Sequence, residues 1–291
     1  MRHLLSLLAL AAATLLTPLA SAQAAEPARF TVEVTGKGPD VILIPGLSSS
    51  RDVWSDTARR LEKTHRVHLL QVRGFAGLPA GANADGPVVG PLADEIVAYI
   101  KVNKLGAPAV IGHSMGGFTA LGIADRYPEA VGRIMIVDAL PFFSVLVSPT
   151  ATVESITPQA AGLRDMMIAM TPDAFAAQQE RTMATLVKSP QGRKDALAWS
   201  LTSDRGVMAR AMYDVMTTDL RGRLATIKTP MTVVYARDDA MGPMAAFVEP
   251  LYAGAYAALP DKTLVPVEGA LHFVMLDQPE VFAAAVDSFL K

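Results

Sequence analysis

Short apolar runs alternate with amphipathic stretches along most of this chain, and this alternation limits its possible folds more than any other feature. The runs predict strands at residues 29–34, 41–44, 66–72, 109–111, 133–137, 231–235 and 263–267. Helical periodicity lies between them, at residues 52–63, 92–104, 115–127 and 280–290. Strands that alternate with helices of this length predict an α/β fold, in which helices cover both faces of a mostly parallel sheet.

The alternation stops between residues 140 and 225, where the pattern is helical only. Thr171-Pro172-Asp173 illustrates this, because a capping residue followed by proline is typical of a helix start. We expect a helical cap at residues 141–225, inserted into a core formed by residues 25–140 and 226–291.

The first 24 residues differ from the rest of the chain. Arg2 and His3 precede an apolar run at residues 4–16, and Ala20-Ser21-Ala22 and Ala22-Gln23-Ala24 have the spacing of signal-peptidase sites. This pattern predicts a signal peptide that is cleaved after Ala22 or Ala24. An uncleaved membrane anchor is the alternative, since residues 4–22 are almost long enough to span a bilayer. We expect a periplasmic or secreted protein without stable membrane insertion after cleavage.

Composition excludes several function classes. The chain of 291 residues has 26 basic and 28 acidic residues, a net charge of −2, and no cysteine. Without a basic excess, nucleic acid is not an expected partner. Without cysteine, thiolate nucleophiles and cysteine-bound metals are excluded. We expect a small-molecule substrate, and the sequence does not specify an oligomeric state.

The strongest motif is Gly112-His113-Ser114-Met115-Gly116-Gly117, between a predicted strand and a predicted helix. This context is the one that a nucleophile elbow requires, with a serine on a sharp turn and glycines two residues to either side. The lysine of a phosphate-binding loop and the glycine spacing of a dinucleotide-binding loop are both missing. Ser114 is therefore the predicted nucleophile.

Ser114 needs a base, and four of the five histidines are poor candidates. The first belongs to the predicted signal peptide, and His113 adjoins Ser114, so its side chain points away. His65 and His68 have an odd spacing along one strand, which directs them to opposite faces. His272 remains, in a loop after the last predicted strand. No pair of histidines suits a metal, and we expect neither a metal nor a cofactor.

The base needs a carboxylate partner, and three aspartates are candidates. Asp238 and Asp239 follow the strand at residues 231–235, in the chain order Ser, Asp, His. Asp138, at the end of the strand at residues 133–137, is the third candidate. An oxyanion hole also needs two backbone N–H groups. Met115 follows the nucleophile, and Leu47 lies in the loop after the strand at residues 41–44.

These motifs together resemble the α/β-hydrolase superfamily, in its cap-bearing serine esterase-like branch. The resemblance rests on residues 41–54, 112–138, 235–243 and 269–290, and it implies an α/β-hydrolase fold. In that family the acid lies three residues after a small residue that ends its strand and four before a proline. Ala236 and Pro243 therefore favour Asp239 over Asp238. Serine at the elbow disfavours the dehalogenase and epoxide-hydrolase branches, which use aspartate there.

The expected function is hydrolysis of a carboxylic ester through an acyl-enzyme, with a small or medium, uncharged substrate. The same residues would also suit an amidase or aminopeptidase, a lactonase, a C–C hydrolase or a cofactor-free perhydrolase, because the fold does not decide among these reactions. A non-catalytic binding protein on the same scaffold is the remaining alternative.

Overall fold

Seven strands form one sheet in the computed structural model, which describes residues 26–291. The strands are β1 (Phe30–Gly36), β2 (Asp40–Ile44), β3 (Arg66–Val72), β4 (Ala109–His113), β5 (Arg133–Val137), β6 (Met231–Arg237) and β7 (Lys262–Glu268). All seven predicted strands are present, with ends that differ from the predicted ones by up to two residues. The predicted signal peptide lies outside the described residues.

The sheet is mostly parallel, as predicted. Its strand order is β1-β3-β2-β4-β5-β6-β7, and only β1 runs antiparallel to its neighbour. The carboxyl ends of parallel strands meet at one edge of a sheet. The register pairs Ile44 with Gly112 and His113 with Val137, so the residues that follow β2, β4 and β5 are neighbours at that edge.

Both faces of the sheet are buried, which explains why its strands read as continuous apolar runs. Consecutive residues of a strand point to opposite faces. In β2, for example, Ile42 and Ile44 belong to the hydrophobic cluster on one face, and Val41 and Leu43 belong to the cluster on the other. Helices complete each cluster, as the predicted α/β fold requires.

The helices that accompany the strands are α1 (Ser55–Leu61), α2 (Val89–Val102), α3 (Met115–Arg126), α8 (Ala245–Ala255), α9 (Val274–Asp277) and α10 (Pro279–Phe289). Two of them start three residues away from the predicted position, and α10 starts one residue earlier than predicted. The helix predicted at residue 52 begins as a 3-10 turn, Arg51–Trp54, before α1. The helix predicted at residue 92 starts earlier, at Val89, because Pro91 lies in the first turn, where no backbone N–H is needed.

Four helices lie between β5 and β6: α4 (Val153–Ala169), α5 (Pro172–Leu186), α6 (Pro190–Leu201) and α7 (Arg205–Thr217). We call them the cap helices; the division of the chain into core and cap stays a prediction. Each starts at a residue whose side chain accepts a backbone N–H, and these residues are Thr152, Thr171, Ser189 and Asp204. No helix within residues 26–291 combines the length and the apolar character needed to cross a membrane.

Candidate active site

Ser114 occupies a strained turn between β4 and α3. Its φ of 52° and ψ of −120° lie in a region that residues with a side chain rarely adopt. The turn is tight on both sides, since a Cβ on Gly112 would collide with the backbone of Gly116, and one on Gly116 with the carbonyl of Ile44. Ser114 N–H donates to the carbonyl of Val137 (2.8 Å), which ties the turn to β5. The backbone is that of the predicted elbow.

Ser114 and His272 line the same cavity, which has a volume of about 540 Å³. The carboxyl edge of the sheet forms one side of this cavity and the cap helices form the other. No hydrogen bond joins the side chains of Ser114 and His272 within the described residues. Their common cavity nevertheless gives one substrate access to both, and apo active sites often tighten only when substrate binds.

His272 is held by Asp138. A hydrogen bond of 2.7 Å joins His272 Nδ1 to Asp138 Oδ2. The other ring nitrogen, Nε2, takes no part in this bond. The histidine lies in the loop between β7 and α9, and its side chain is 23% exposed. The pair has the form of a base with its orienting carboxylate.

Asp138 is itself fixed by two further donors. It follows β5 directly, with a φ of 49°, and its Oδ1 accepts from Ala236 N–H and from the Tyr252 hydroxyl, both at 3.0 Å. Burial raises the pKa of this carboxyl, but the hydrogen bond and charge of His272, with the two other donors, outweigh burial and keep the pKa below its usual range. Asp138 is therefore held as a carboxylate.

The expectation that Asp239 contacts His272 is wrong. Asp239 is exposed and begins a 3-10 helix, while Asp238 pairs with Lys188, which lies between α5 and α6, and accepts from Ala240 N–H (2.7 Å). The physical reason is the strand order, in which β5 lies between β4 and β6. The residue after β5 is therefore nearer to Ser114 than the residues after β6.

Leu47 and Met115, the predicted oxyanion donors, both line the cavity. Met115 is the first residue of α3, so its N–H has no partner within the helix. Neither this N–H nor that of Leu47 donates to a backbone carbonyl or a side chain within the described residues, so both remain available to an oxygen in the cavity. Their role as oxyanion donors stays a prediction.

His113 supports the loop that carries His272, a role that sequence reasoning missed. Its Nε2 donates to the carbonyl of His272 (3.0 Å), whereas its Nδ1 is buried without a partner. A Cβ on Gly46 would lie 2.8 Å from that Nδ1, so only glycine fits there. Burial lowers the pKa of His113 to about 3, and the charge of His272 adds to this effect. His113 is therefore neutral near pH 7.

Asp277 joins the His272 loop to the cap helices, and the sequence offered no signal for this. Its carboxylate accepts from Leu271 N–H (2.9 Å) in that loop, and from Lys188 N–H (2.9 Å) and Ser189 N–H (2.8 Å) between α5 and α6. The position of the histidine is thus coupled to the position of the cap.

The other strand histidine, His68, lies away from this site. It is buried between β3 and α2, where its ring nitrogens bond to Tyr99 Oη (2.7 Å) and Asp40 Oδ1 (2.9 Å). Within residues 26–291, no three histidine, aspartate or glutamate residues are grouped as a metal site would need.

Comparison with known proteins agrees with this geometry. A model of the alpha/beta hydrolase family matches residues 41–285, and the chain belongs to that family. A pimeloyl-[acyl-carrier protein] methyl ester esterase of Chromobacterium violaceum is 26% identical over 274 residues, which are 89% of this chain and 97% of that protein. The corresponding esterase of Aliivibrio fischeri is 23% identical over 261 residues, covering 89% and 96%.

Solved structures share the fold. A thermophilic esterase from Thermogutta terrifontis has a TM-score of 0.73 and 19% identity, covering 90% of this chain and 92% of that one. An enol-lactonase from Burkholderia xenovorans has a TM-score of 0.71 and 18% identity, covering 90% and 96%. The predicted family and fold are confirmed, and the protein is an enzyme of the α/β-hydrolase class.

Proposed function

We propose that this protein is a serine hydrolase that cleaves carboxylic esters through an acyl-enzyme. The observation that carries the proposal is the cavity that Ser114 shares with the Asp138–His272 pair. The relatives named as methyl ester esterases support an ester as the bond that is cleaved.

In the proposed reaction, Ser114 Oγ attacks the ester carbonyl carbon and His272 Nε2 takes the serine proton. Asp138 holds the imidazole in the tautomer with hydrogen on Nδ1 and stabilises the imidazolium. The N–H groups of Leu47 and Met115 bind the oxyanion. His272 then protonates the leaving alcohol, and water, deprotonated by His272, hydrolyses the acyl-enzyme.

The walls of the cavity favour an uncharged substrate of small or medium size. Six methionines line it, namely Met115, Met167, Met183, Met208, Met212 and Met241, together with leucine and phenylalanine side chains. Of the described residues that line the cavity, none is lysine or arginine. A carboxylate on the substrate would find no cationic partner there, whereas an alkyl chain would find adaptable apolar surface.

The test is hydrolysis of p-nitrophenyl esters of increasing acyl length, together with labelling by a fluorophosphonate. Ser114→Ala should abolish labelling and lower kcat by roughly four to six orders of magnitude. The matched control is Ser288→Ala, because Ser288 is exposed on α10. Retention of more than a few per cent of activity by Ser114→Ala would contradict the proposed mechanism. Chelators should leave the rate unchanged.

Export is a separate part of the proposal and rests on residues 1–24. Their charged start, apolar run and small residues at the cleavage spacing support a signal peptide. Expression of the full chain in a bacterium, followed by fractionation and N-terminal sequencing, tests this. The expected result is a periplasmic or secreted protein that begins at Gln23 or Ala25. An intact N-terminus in the membrane fraction would support the anchor instead.

A further inference from the structure

Helix α5 presents a polar strip to a cavity that is otherwise mostly apolar. Gln178, Gln179, Thr182 and Thr185 all line the cavity, and their spacing places them along one side of the helix. Gln179 is buried, Thr182 is half-buried and Thr185 is exposed. The strip therefore runs from the interior of the cavity towards its mouth.

Gln179 is the most constrained member of this strip. It is 2% exposed, and its Oε1 accepts a hydrogen bond from the hydroxyl of Ser200 on α6 (2.7 Å). This bond orients the amide plane and uses one of the two lone pairs of Oε1. Gln179 Nε2 donates to no protein atom within the described residues, so two N–H donors remain unused inside the cap.

Once a substrate fills the cavity and displaces water, an unused donor at such a position needs an acceptor, because burying a donor without a partner is unfavourable. Side-chain nitrogens that are sealed from solvent without a partner are found at Trp54, His113 and Arg210. Gln179 Nε2 is not sealed in this way. Since the rest of the side chain is buried, the space that reaches Nε2 is the cavity.

We propose that Gln179 is a specificity-determining residue, which donates a hydrogen bond to a second, neutral oxygen of the substrate beyond the ester that is cleaved. This inference rests on the proposed function and narrows it to esters that carry a further ether, carbonyl or hydroxyl oxygen. Since Ser200 already bonds to Oε1 while both N–H groups of Nε2 are unused, the amide favours acceptors over donors. With no cation on the cavity wall, it selects neutral oxygens over carboxylates.

Selectivity follows from the contrast between this donor and its surroundings. An apolar wall distinguishes alkyl chains of different length only weakly, whereas a positioned donor disfavours the analogue that lacks its acceptor. A neutral hydrogen bond contributes about 0.5–1.5 kcal/mol net, so we expect an advantage of up to about tenfold in kcat/KM for the correctly placed oxygen.

The experiment compares p-nitrophenyl octanoate with esters in which one CH₂ group after another is replaced by an ether oxygen. The measured quantity is the ratio of kcat/KM for each oxygen ester to that for octanoate, corrected for the rates with hydroxide. In the wild-type enzyme, one oxygen position should give a maximum of up to about tenfold. Gln179→Met should remove this maximum, because it keeps the length of the side chain and deletes the donors.

Two further variants keep the test decisive. Gln191→Met makes the same change at an exposed cap glutamine that bonds to Asp195, and it should keep the maximum. Ser200→Ala removes the hydroxyl that holds Gln179 and should reduce the maximum even if Gln179→Met does not fold.

A flat profile in the wild-type enzyme, or a maximum that survives in Gln179→Met, would overturn the inference while leaving the esterase proposal intact. So would an advantage shown only by hydroxyl-bearing esters and not by ethers, since the amide would then be an acceptor. If no ester is hydrolysed in a manner that depends on Ser114, the proposed function and this inference both fail.

Discussion

The loops after β5 and β6 both carry aspartates, but only the aspartate after β5 lines the cavity. Asp138, after β5, is largely buried, accepts three hydrogen bonds and contacts His272. After β6, Asp238 is also buried but contacts the cap through Lys188, and Asp239 is exposed. Position in the sheet relative to Ser114, and not distance along the chain, decides which carboxylate reaches the histidine.

The largest expected effect is a difference in kcat between substitutions of Asp138 and of Asp239. Asp138→Asn should lower kcat by about 10⁴, because an amide neither holds the required tautomer nor stabilises the imidazolium. Asp239→Asn should change kcat by less than about threefold, as expected for a substitution at an exposed position away from the site. The measurement is steady-state hydrolysis of a p-nitrophenyl ester by both variants. The reverse order would make Asp239 the working acid and require the β6 loop to move on substrate binding.

The free energy of unfolding should also depend on pH, because His113 is buried beside the site. Burial lowers the pKa of His113 from 6.5 to about 3 in the folded state. Below pH 6.5 the unfolded chain therefore takes up a proton that the folded chain does not, and stability falls with pH down to about 3. Between pH 7 and pH 5 this group should remove about 2 kcal/mol from the free energy of unfolding.

His113→Asn, which cannot titrate, tests this. Urea unfolding at pH 7 and pH 5 should show a smaller loss of stability in the variant by about 2 kcal/mol, whatever its stability at pH 7. Equal losses in both proteins would mean that His113 takes up a proton in the folded protein as easily as in the unfolded chain. That result would mean that burial of His113 beside the Asp138–His272 pair does not disfavour its protonation.

A smaller effect is expected at Tyr252, whose hydroxyl donates to Asp138. Tyr252→Phe should lower kcat by about tenfold, or about 1.4 kcal/mol, since Ala236 N–H still holds the carboxylate. Tyr256→Phe is the matched control, because that buried hydroxyl donates to the carbonyl of Ala139 (2.8 Å) and not to the carboxylate. The control should lose stability but keep kcat within about threefold of the wild-type value. If kcat falls equally in Tyr252→Phe and Tyr256→Phe, the role of Tyr252 is purely structural.

Local patterns were sufficient to predict the strands and to select Ser114 and His272, which line one cavity. Apolar runs report burial on both faces of a sheet, the elbow motif requires glycines at fixed offsets, and histidine is rare enough in this chain for elimination to work. These signals do not depend on which strands are neighbours.

The acid could not be selected in the same way. Asp138, Asp238 and Asp239 all follow a predicted strand, and the spacing between Ala236 and Pro243 describes a turn without specifying what faces it. The choice depends on strand order and on Tyr252, which reaches Asp138 from a helix 114 residues further along the chain. Contacts at that separation leave no trace in a local pattern.

The smallest effect is expected where the β6 loop meets the cap. Lys188→Met breaks only the ion pair with Asp238, because the backbone N–H of Lys188 still donates to Asp277. The lysine side chain is about half exposed, so water and salt screen the pair, and the free energy of unfolding should fall by less than about 1 kcal/mol. Urea unfolding at low and high salt measures this, and the difference between variant and wild type should shrink as salt rises. The kcat should stay within about twofold of the wild-type value, because no group in contact with His272 changes. A large fall in kcat would show that the ion pair controls the position of the cap over Ser114, and the β6 side would then contribute to catalysis through the cap.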